Sequence, residues 1–239
     1  MRSITKISLL AGALASATAA LAAPITAWDA ASGFGAPEWA YMQRGGSGCT
    51  GPASLLGFNY AAPSGTSFTG RQGVNTPVIV PLVAKNLAAS GVTVYSSAQI
   101  PANAMWLHPG ETGQNASCAV VRFNAPMAGK FRVKGSMQSI DTGANTVRGY
   151  IFAGSNSAVG GPLTLTGPMG TSLTFDKIVT ITGANKWIDF ALDDGGSYYN
   201  DSTRLNLTIT KCRGDGNGAG TGPGAGNDAL DECKEPGRR

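Results

Sequence analysis

His108 is the chain's single histidine, set in the run Trp106-Leu107-His108-Pro109-Gly110. A hydrolytic role would need a nucleophile and an orienting acid around its ring. Ser117 and Asp141 are close in sequence, but no Gly-x-Ser-x-Gly elbow exists. The simpler expectation is a strand-to-turn histidine whose ring packs and bonds a neighbouring backbone; the sharper one is ligand contact. Tyr198 and Tyr199 sit between Asp193 and Thr203. Amphipathic rings on a loop suit sugar stacking, although one of two adjacent residues at a strand end usually turns inward. Asp201-Ser202-Thr203 suits an Asx or ST turn, in which short polar side chains satisfy loop amides. Alternatively Asp201, with Asp189 or Asp193, would offer hard oxygens to a structural calcium ion. Glu111 and Asp176 could form a glycosidase pair only if folding set them about 5–10 Å apart. Trp106 and Trp187 read as core. Arg213-Gly214-Asp215 matches an integrin-binding tripeptide, a cheap match in a Gly-rich segment. Asp215, Asn217 and Asp228 do not have the spacing of a calcium-binding EF-hand loop.

The elements that must position these groups are strands. Residues 130–137 place Phe131, Val133, Gly135 and Met137 on one face and Lys130, Arg132, Lys134 and Ser136 on the other. Residues 186–192 put Ile188, Phe190 and Leu192 together. Residues 203–211 put Leu205, Leu207 and Ile209 inward, with Arg204, Asn206 and Thr208 outward. Residues 118–123, 146–153 and 172–182 read as further strands, separated by Gly/Asn/Asp turns at 141–145, 182–185 and 193–196. Less regular candidates lie at 38–41, 58–61, 78–83 and 92–96. The best helical candidate is 81–90, ending at Gly91. Many short strands at this spacing predict an all-β, two-layer antiparallel sandwich. After Cys212 the composition turns to Gly, Asp, Asn, Ala, Thr and Pro, which cannot bury a core.

The amino terminus sets the compartment. Arg2 and Lys6 precede an apolar, small-residue run, and Ala20-Leu21-Ala22 has the pattern signal peptidase reads. The expected organisation is a signal peptide at 1–22, a sandwich domain at 23–211 and a tail at 212–239. No later segment is apolar and long enough to span a membrane. Without Arg2 and Lys6 the chain carries 16 basic and 14 acidic residues, no electrostatic footprint for nucleic acid. The bacterial look of the leader makes the sequons at Asn115 and Asn206 unused. Four cysteines, Cys49, Cys118, Cys212 and Cys233, predict two disulfides in an exported chain, with three possible connectivities. A bond from Cys212 to Cys233 would clip the tail and leave Cys49 to pair with Cys118. No CxxC or Cys/His cluster suggests zinc.

The order of several short motifs adds a resemblance. Trp39-Ala40-Tyr41 is followed by Trp106-Leu107-His108-Pro109-Gly110. Then come Val120-Val-Arg-Phe-Asn-Ala-Pro126, Ala128-Gly-Lys-Phe131, Trp187-Ile-Asp-Phe190 and Asp201-Ser-Thr203. This resembles a domain common in exported bacterial proteins, many of them sorted by a PEP-CTERM tail. The resemblance is strongest over 106–211. It implies a jelly-roll-like sandwich similar to carbohydrate-binding modules, with no assigned activity. Lys186 departs from that pattern, and Glu235-Pro-Gly-Arg-Arg239 is not a sorting tail. The expectation is therefore free secretion or periplasmic residence. The leading expected function is non-catalytic binding of extracellular polysaccharide or glycoconjugate. A structural or adhesive surface protein with a cell-surface protein partner comes second, and a polysaccharide-active hydrolase third.

Overall fold

The structure is a computed structural model that describes residues 27–73, 80–111, 118–143, 145–212 and Cys233. The expected leader, Asn115, Ser117, the Arg213-Gly-Asp215 tripeptide and the acidic positions 215 and 228 lie outside the described residues, as does Asn217.

Strands dominate the regular structure of the described residues, beside one short 3-10 turn at Ser47–Cys49. In chain order these are β1 (Ala27–Asp29), β2 (Trp39–Arg44), β3 (Ala53–Leu55), β4 (Phe58–Asn59), β5 (Phe68–Gln72), β6 (Leu82–Asn86), β7 (Val92–Val94) and β8 (Ala98–Ile100). They continue with β9 (Met105–His108), β10 (Cys118–Asn124), β11 (Gly129–Ser139), β12 (Asn145–Ala153), β13 (Leu163–Gly167), β14 (Ser172–Ile181), β15 (Trp187–Asp193) and β16 (Thr203–Lys211). One sheet runs β14-β11-β16-β9-β6-β5-β4, with β1 also paired to β16. The other runs β13-β12-β15-β10-β2-β3, and β7 pairs with β8 alone. The pairings are antiparallel. The fold is the two-layer antiparallel sandwich that the alternating runs predict.

The main core lies between the sheets. Phe131, Val133 and Met137 of β11 and Leu205, Leu207 and Ile209 of β16 meet Val121, Phe123, Phe190 and Leu192 from the opposite layer. Burying each such side chain contributes roughly 1.5–3 kcal/mol.

Two smaller clusters cover the outer faces. On β6 and β9, Val83, Met105 and Leu107 face the main core, while Leu82, Ala84 and Trp106 turn outward. The β7–β8 hairpin packs Val94, Ala98 and Ile100 over them, and Tyr60 meets Trp106 edge-on at 6.0 Å. On the other sheet Met42, Val120, Phe152 and Ala191 turn outward and pack with Cys49 and Cys118. This double covering corrects the helix expected at 81–90. The first half of that segment is the strand β6, paired to β5 and β9 and covered on both faces, and 87–90 are irregular. Its continuous apolar run is the one pattern that suits a buried strand and a buried helix equally.

Two disulfides close the chain. Cys49 pairs with Cys118 across 69 residues, and Cys212, just past β16, pairs with Cys233 across 21. Among the described residues no helix is long and apolar enough to cross a membrane.

Candidate functional site

Beside the outer cluster on β6 and β9 the hairpin leaves a cleft of about 320 Å³. Val80 and Leu82 and the end of β9, His108, lie along one part of it. The β7–β8 turn brings Tyr95, Ser97 and Ala98. The segment after β11 brings Asp141, and the connection from β15 to β16 brings Tyr198, Tyr199, Asn200 and Ser202. Register explains the convergence. Leu82 is opposite His108, and Leu107 is opposite Thr203, so the ends of β6, β9 and the start of β16 lie side by side.

Asp141 holds these segments together. Its Oδ1 accepts from Ser97 Oγ at 2.8 Å and its Oδ2 from the Ser202 amide at 2.6 Å. Backbone bonds reinforce it: Gln99 donates to Ile140, Ile140 to Ser202 and Thr142 to Ser97. One short segment thus ties the hairpin to the tyrosine loop. Three non-glycine residues here take left-handed backbone, Tyr95 at φ 51°, Ser96 at 63° and Asn200 at 62°. Such conformations cost free energy and persist where the surroundings over-determine them, often at functional sites.

The rings are available. Tyr199 is 67% exposed and Tyr95 52%. Tyr198 and Tyr199 sit with ring centroids 4.4 Å apart, and the Tyr95 and Tyr60 hydroxyls are 2.9 Å apart. Tyr198's phenol is held above its ordinary value chiefly by Tyr199, with burial and the Glu111 carboxylate adding to it. His108 Nδ1 is 2.7 Å from the Pro109 carbonyl oxygen. A carbonyl only accepts, so Nδ1 carries the proton and the neutral ring keeps Nε2 as an acceptor. Burial holds this imidazole below its usual pKa, against the Pro109 bond and the Asp141 charge.

The structure therefore gathers His108, Tyr198 and Tyr199 in one place. Tyr95, Ser97, Asp141 and Asn200 join them through pairings distant in sequence, and no local periodicity marks them. Ser97, Asp141 and His108 do not make a nucleophilic relay. The single Ser97 hydroxyl proton goes to Asp141, which leaves none for the imidazole.

The acidic residues are not gathered. Among the described residues no three His, Cys, Asp or Glu side chains could hold a metal ion. Asp189, expected as a calcium ligand, is corrected by its partners. Arg44 Nε and Nη2 donate to its Oδ2 at 3.0 and 2.7 Å, and Arg122 donates to Oδ1 at 2.6 Å and to Oδ2 at 2.8 Å. Arg44 also lies 4.5 Å over Phe152, and Arg122 4.3 Å over Trp187. Half-buried Trp187 is thus a lid on an ion cluster, whereas Trp106 is fully buried. Asp193 is held above its ordinary pKa by burial and then by Asp194. Asp201 starts the turn before β16, its carbonyl accepting from Thr203 Oγ1 at 3.0 Å.

A larger groove of about 1020 Å³ lies on the outer face of β11, β14 and β16. Its one aromatic residue, Phe175, is buried, and Arg132 and Asp176 bond each other there. Asp176 is held below its ordinary pKa by that arginine. Glu111 acts on Tyr198 at the other cleft, so the two carboxylates are not assembled as a glycosidase pair.

No protein-family model matches the chain, and no curated protein matches it. Among solved structures it is similar to a family 4 carbohydrate-binding module, with 11% identity over 48% of this chain and 76% of that one, at a TM-score of 0.33. It is similar to a family 29 carbohydrate-binding module, with 15% identity over 72% and 91% and a TM-score of 0.30. The K1 cleaved adhesin domain of Lys-gingipain from Porphyromonas gingivalis W83 is similar at 13% identity over 79% and 99%, with a TM-score of 0.34. Overlaps this partial carry no weight for ligand or mechanism.

Proposed function

We propose that this protein is a secreted, non-catalytic binding module for extracellular polysaccharide or glycoconjugate, and that the ligand lies in the cleft between the β7–β8 hairpin and the 193–202 loop. One observation carries the reading: exposed rings of Tyr95 and Tyr199 converge with Tyr198, His108, Asn200 and Asp141 in one cleft. Sugars present C–H faces that stack on such rings and hydroxyls that polar side chains can bond. The two disulfides, the leader-like amino terminus and the motif resemblance to exported bacterial sandwich domains support the compartment.

The test is calorimetric titration of the exported chain with soluble glycans, with calcium and with chelator. Saturable binding is expected, and the Tyr198→Ala/Tyr199→Ala double variant should lose at least tenfold in affinity, about 1.4 kcal/mol or more. Unchanged affinity in that variant moves the site elsewhere. Equal affinity in chelator retires the calcium expectation.

A structural or adhesive role has its own observation. Leu55 on the edge strand β3 is 66% exposed and Phe58 of β4 44%, so the two sheet edges present apolar side chains. Exposed edges of this kind are templates for pairing with another chain. Concentration-dependent assembly in sedimentation velocity, with no glycan affinity, would select that reading. Glycan turnover abolished by His108→Ala would select the hydrolase.

A further inference from the structure

The cleft has a one-sided charge pattern that binding a neutral sugar does not require. Asp141 is its charged side chain, and no lysine or arginine is among the residues lining it. Ser97 and Ser202 bond the two oxygens of this buried carboxylate, so its negative charge acts on the cleft from the wall. Burial disfavours positive charge on His108, and with its Nδ1–H spent on Pro109 what the neutral ring has left is an acceptor. The three tyrosine rings carry partial negative charge on their faces, which attracts cations. Glu111 brings a second carboxylate near Tyr198.

Three arginines are engaged on other surfaces, and Arg204, beside Trp106 in register, is not among the residues lining the cleft. Arg132 is bonded to Asp176 in the groove on β11 and β14, and Arg44 and Arg122 are bonded to Asp189 on the opposite sheet. An anionic ligand entering the cleft would therefore meet ring faces and carboxylate with no cationic donor among its lining residues. An ammonium would meet aromatic faces, a carboxylate and an acceptor nitrogen together.

We infer that the cleft takes a cationic ligand, and, resting on the glycan reading above, that this is a polysaccharide of free-amine sugars whose protonated amine sits against the tyrosine rings with Asp141 in the same cleft. N-acetylation would remove the charge and the extra donors, so the site distinguishes amine from amide on one sugar scaffold. Added salt should weaken the charge-dependent part of the affinity and spare the stacking part.

The experiment is calorimetric titration of the full exported chain with three oligosaccharides of equal length: free-amine glucosamine, N-acetylglucosamine and neutral glucose oligomers. Choline is titrated separately as a sugar-free ammonium. The free-amine oligomer should bind about tenfold more tightly than the other two. Asp141 also holds the hairpin and the loop, so Asp141→Asn could disturb the fold. Exposed Glu111 offers the cleaner change, and Glu111→Gln should cost about threefold at low salt and nothing at high salt. Equal affinity for all three oligosaccharides overturns the charge inference and leaves the binding module standing. Choline binding with no oligosaccharide binding overturns the glycan reading and keeps the ammonium site. No saturable binding of any of the four overturns both.

Discussion

Asp189 accepts four hydrogen bonds from two arginines and has no exposed surface, and Arg44 is equally enclosed. Arg44 is bonded further through Nη1 to the Gly51 carbonyl and to Asn156. Removing the acid would strand buried positive charge. Asp189→Ala should therefore cost about 3–5 kcal/mol in denaturant unfolding, with glycan affinity preserved in the fraction that folds. A small effect would mean that water relieves the arginines. His108 makes a second residue-scale prediction. Its folded pKa is depressed, so the unfolded chain takes up a proton near pH 6.5 that the buried ring resists. Stability should fall as pH drops below about 6.5, and His108→Gln should flatten that part of the profile. Asp193 works in the opposite sense, since its raised pKa favours proton binding in the folded state. The difference between wild type and His108→Gln thus isolates the imidazole, whose lone proton NMR signal can be titrated directly. A wild-type slope persisting in the variant would contradict this. At this scale the sequence exposes residue types and hides partners. Tyr198 and Tyr199 stand out as adjacent rings on a loop, whereas Asp189 looks like any strand carboxylate until Arg44, 145 residues away, is placed against it.

The strands fall into two kinds, and the difference governs what could be read in advance. β11 and β16 bury one face and alternate visibly. β6, β9, β10 and β15 bury both, because hairpin or loop material covers the outer surface of each sheet. The apolar runs of β6, β9 and β10 carry no period, so 81–90 reads as helix. Short edge strands such as β3 and β4 carry too few inward residues to stand out from loops. The cleft lies where the covering hairpin ends, which is why its wall residues have no signature of their own. The hairpin also has a sparse lattice of backbone bonds. β7 and β8 share three paired residues, while β11 pairs along its length with β14 on one side and β16 on the other. Amide exchange should open 92–100 well before 131–137, in a local rather than global event. Saturating glycan should slow exchange at 92–100 if ligand bridges the hairpin and the tyrosine loop. Equal protection of both segments in the free protein would contradict this division.

For the whole molecule, covalent closure supplements a core split into three parts. The Cys49–Cys118 bond spans 69 residues, and loop-closure entropy assigns such a crosslink about 4 kcal/mol. A Cys49→Ser/Cys118→Ser variant should lose stability on that scale, measured by denaturant midpoint. An unchanged midpoint would mean that the packing of Met42, Val120 and Phe152 suffices alone. The compositional break after Cys212 and the even cysteine count were legible because they depend on chain chemistry alone. Which outer face the Cys49–Cys118 bond serves was not, since that follows from pairings between distant strands. The second bond has a different consequence. Cys212 and Cys233, separated by 21 positions, enclose residues 213–232 at the carboxyl end. A protease that cuts once inside this span releases no fragment. The nicked chain keeps its mass, plus one water, on a non-reducing gel and comes apart only when thiol is added. Exported into a protease-rich surrounding, the protein would keep its last segment through a first cleavage and shed it only where reductant is met.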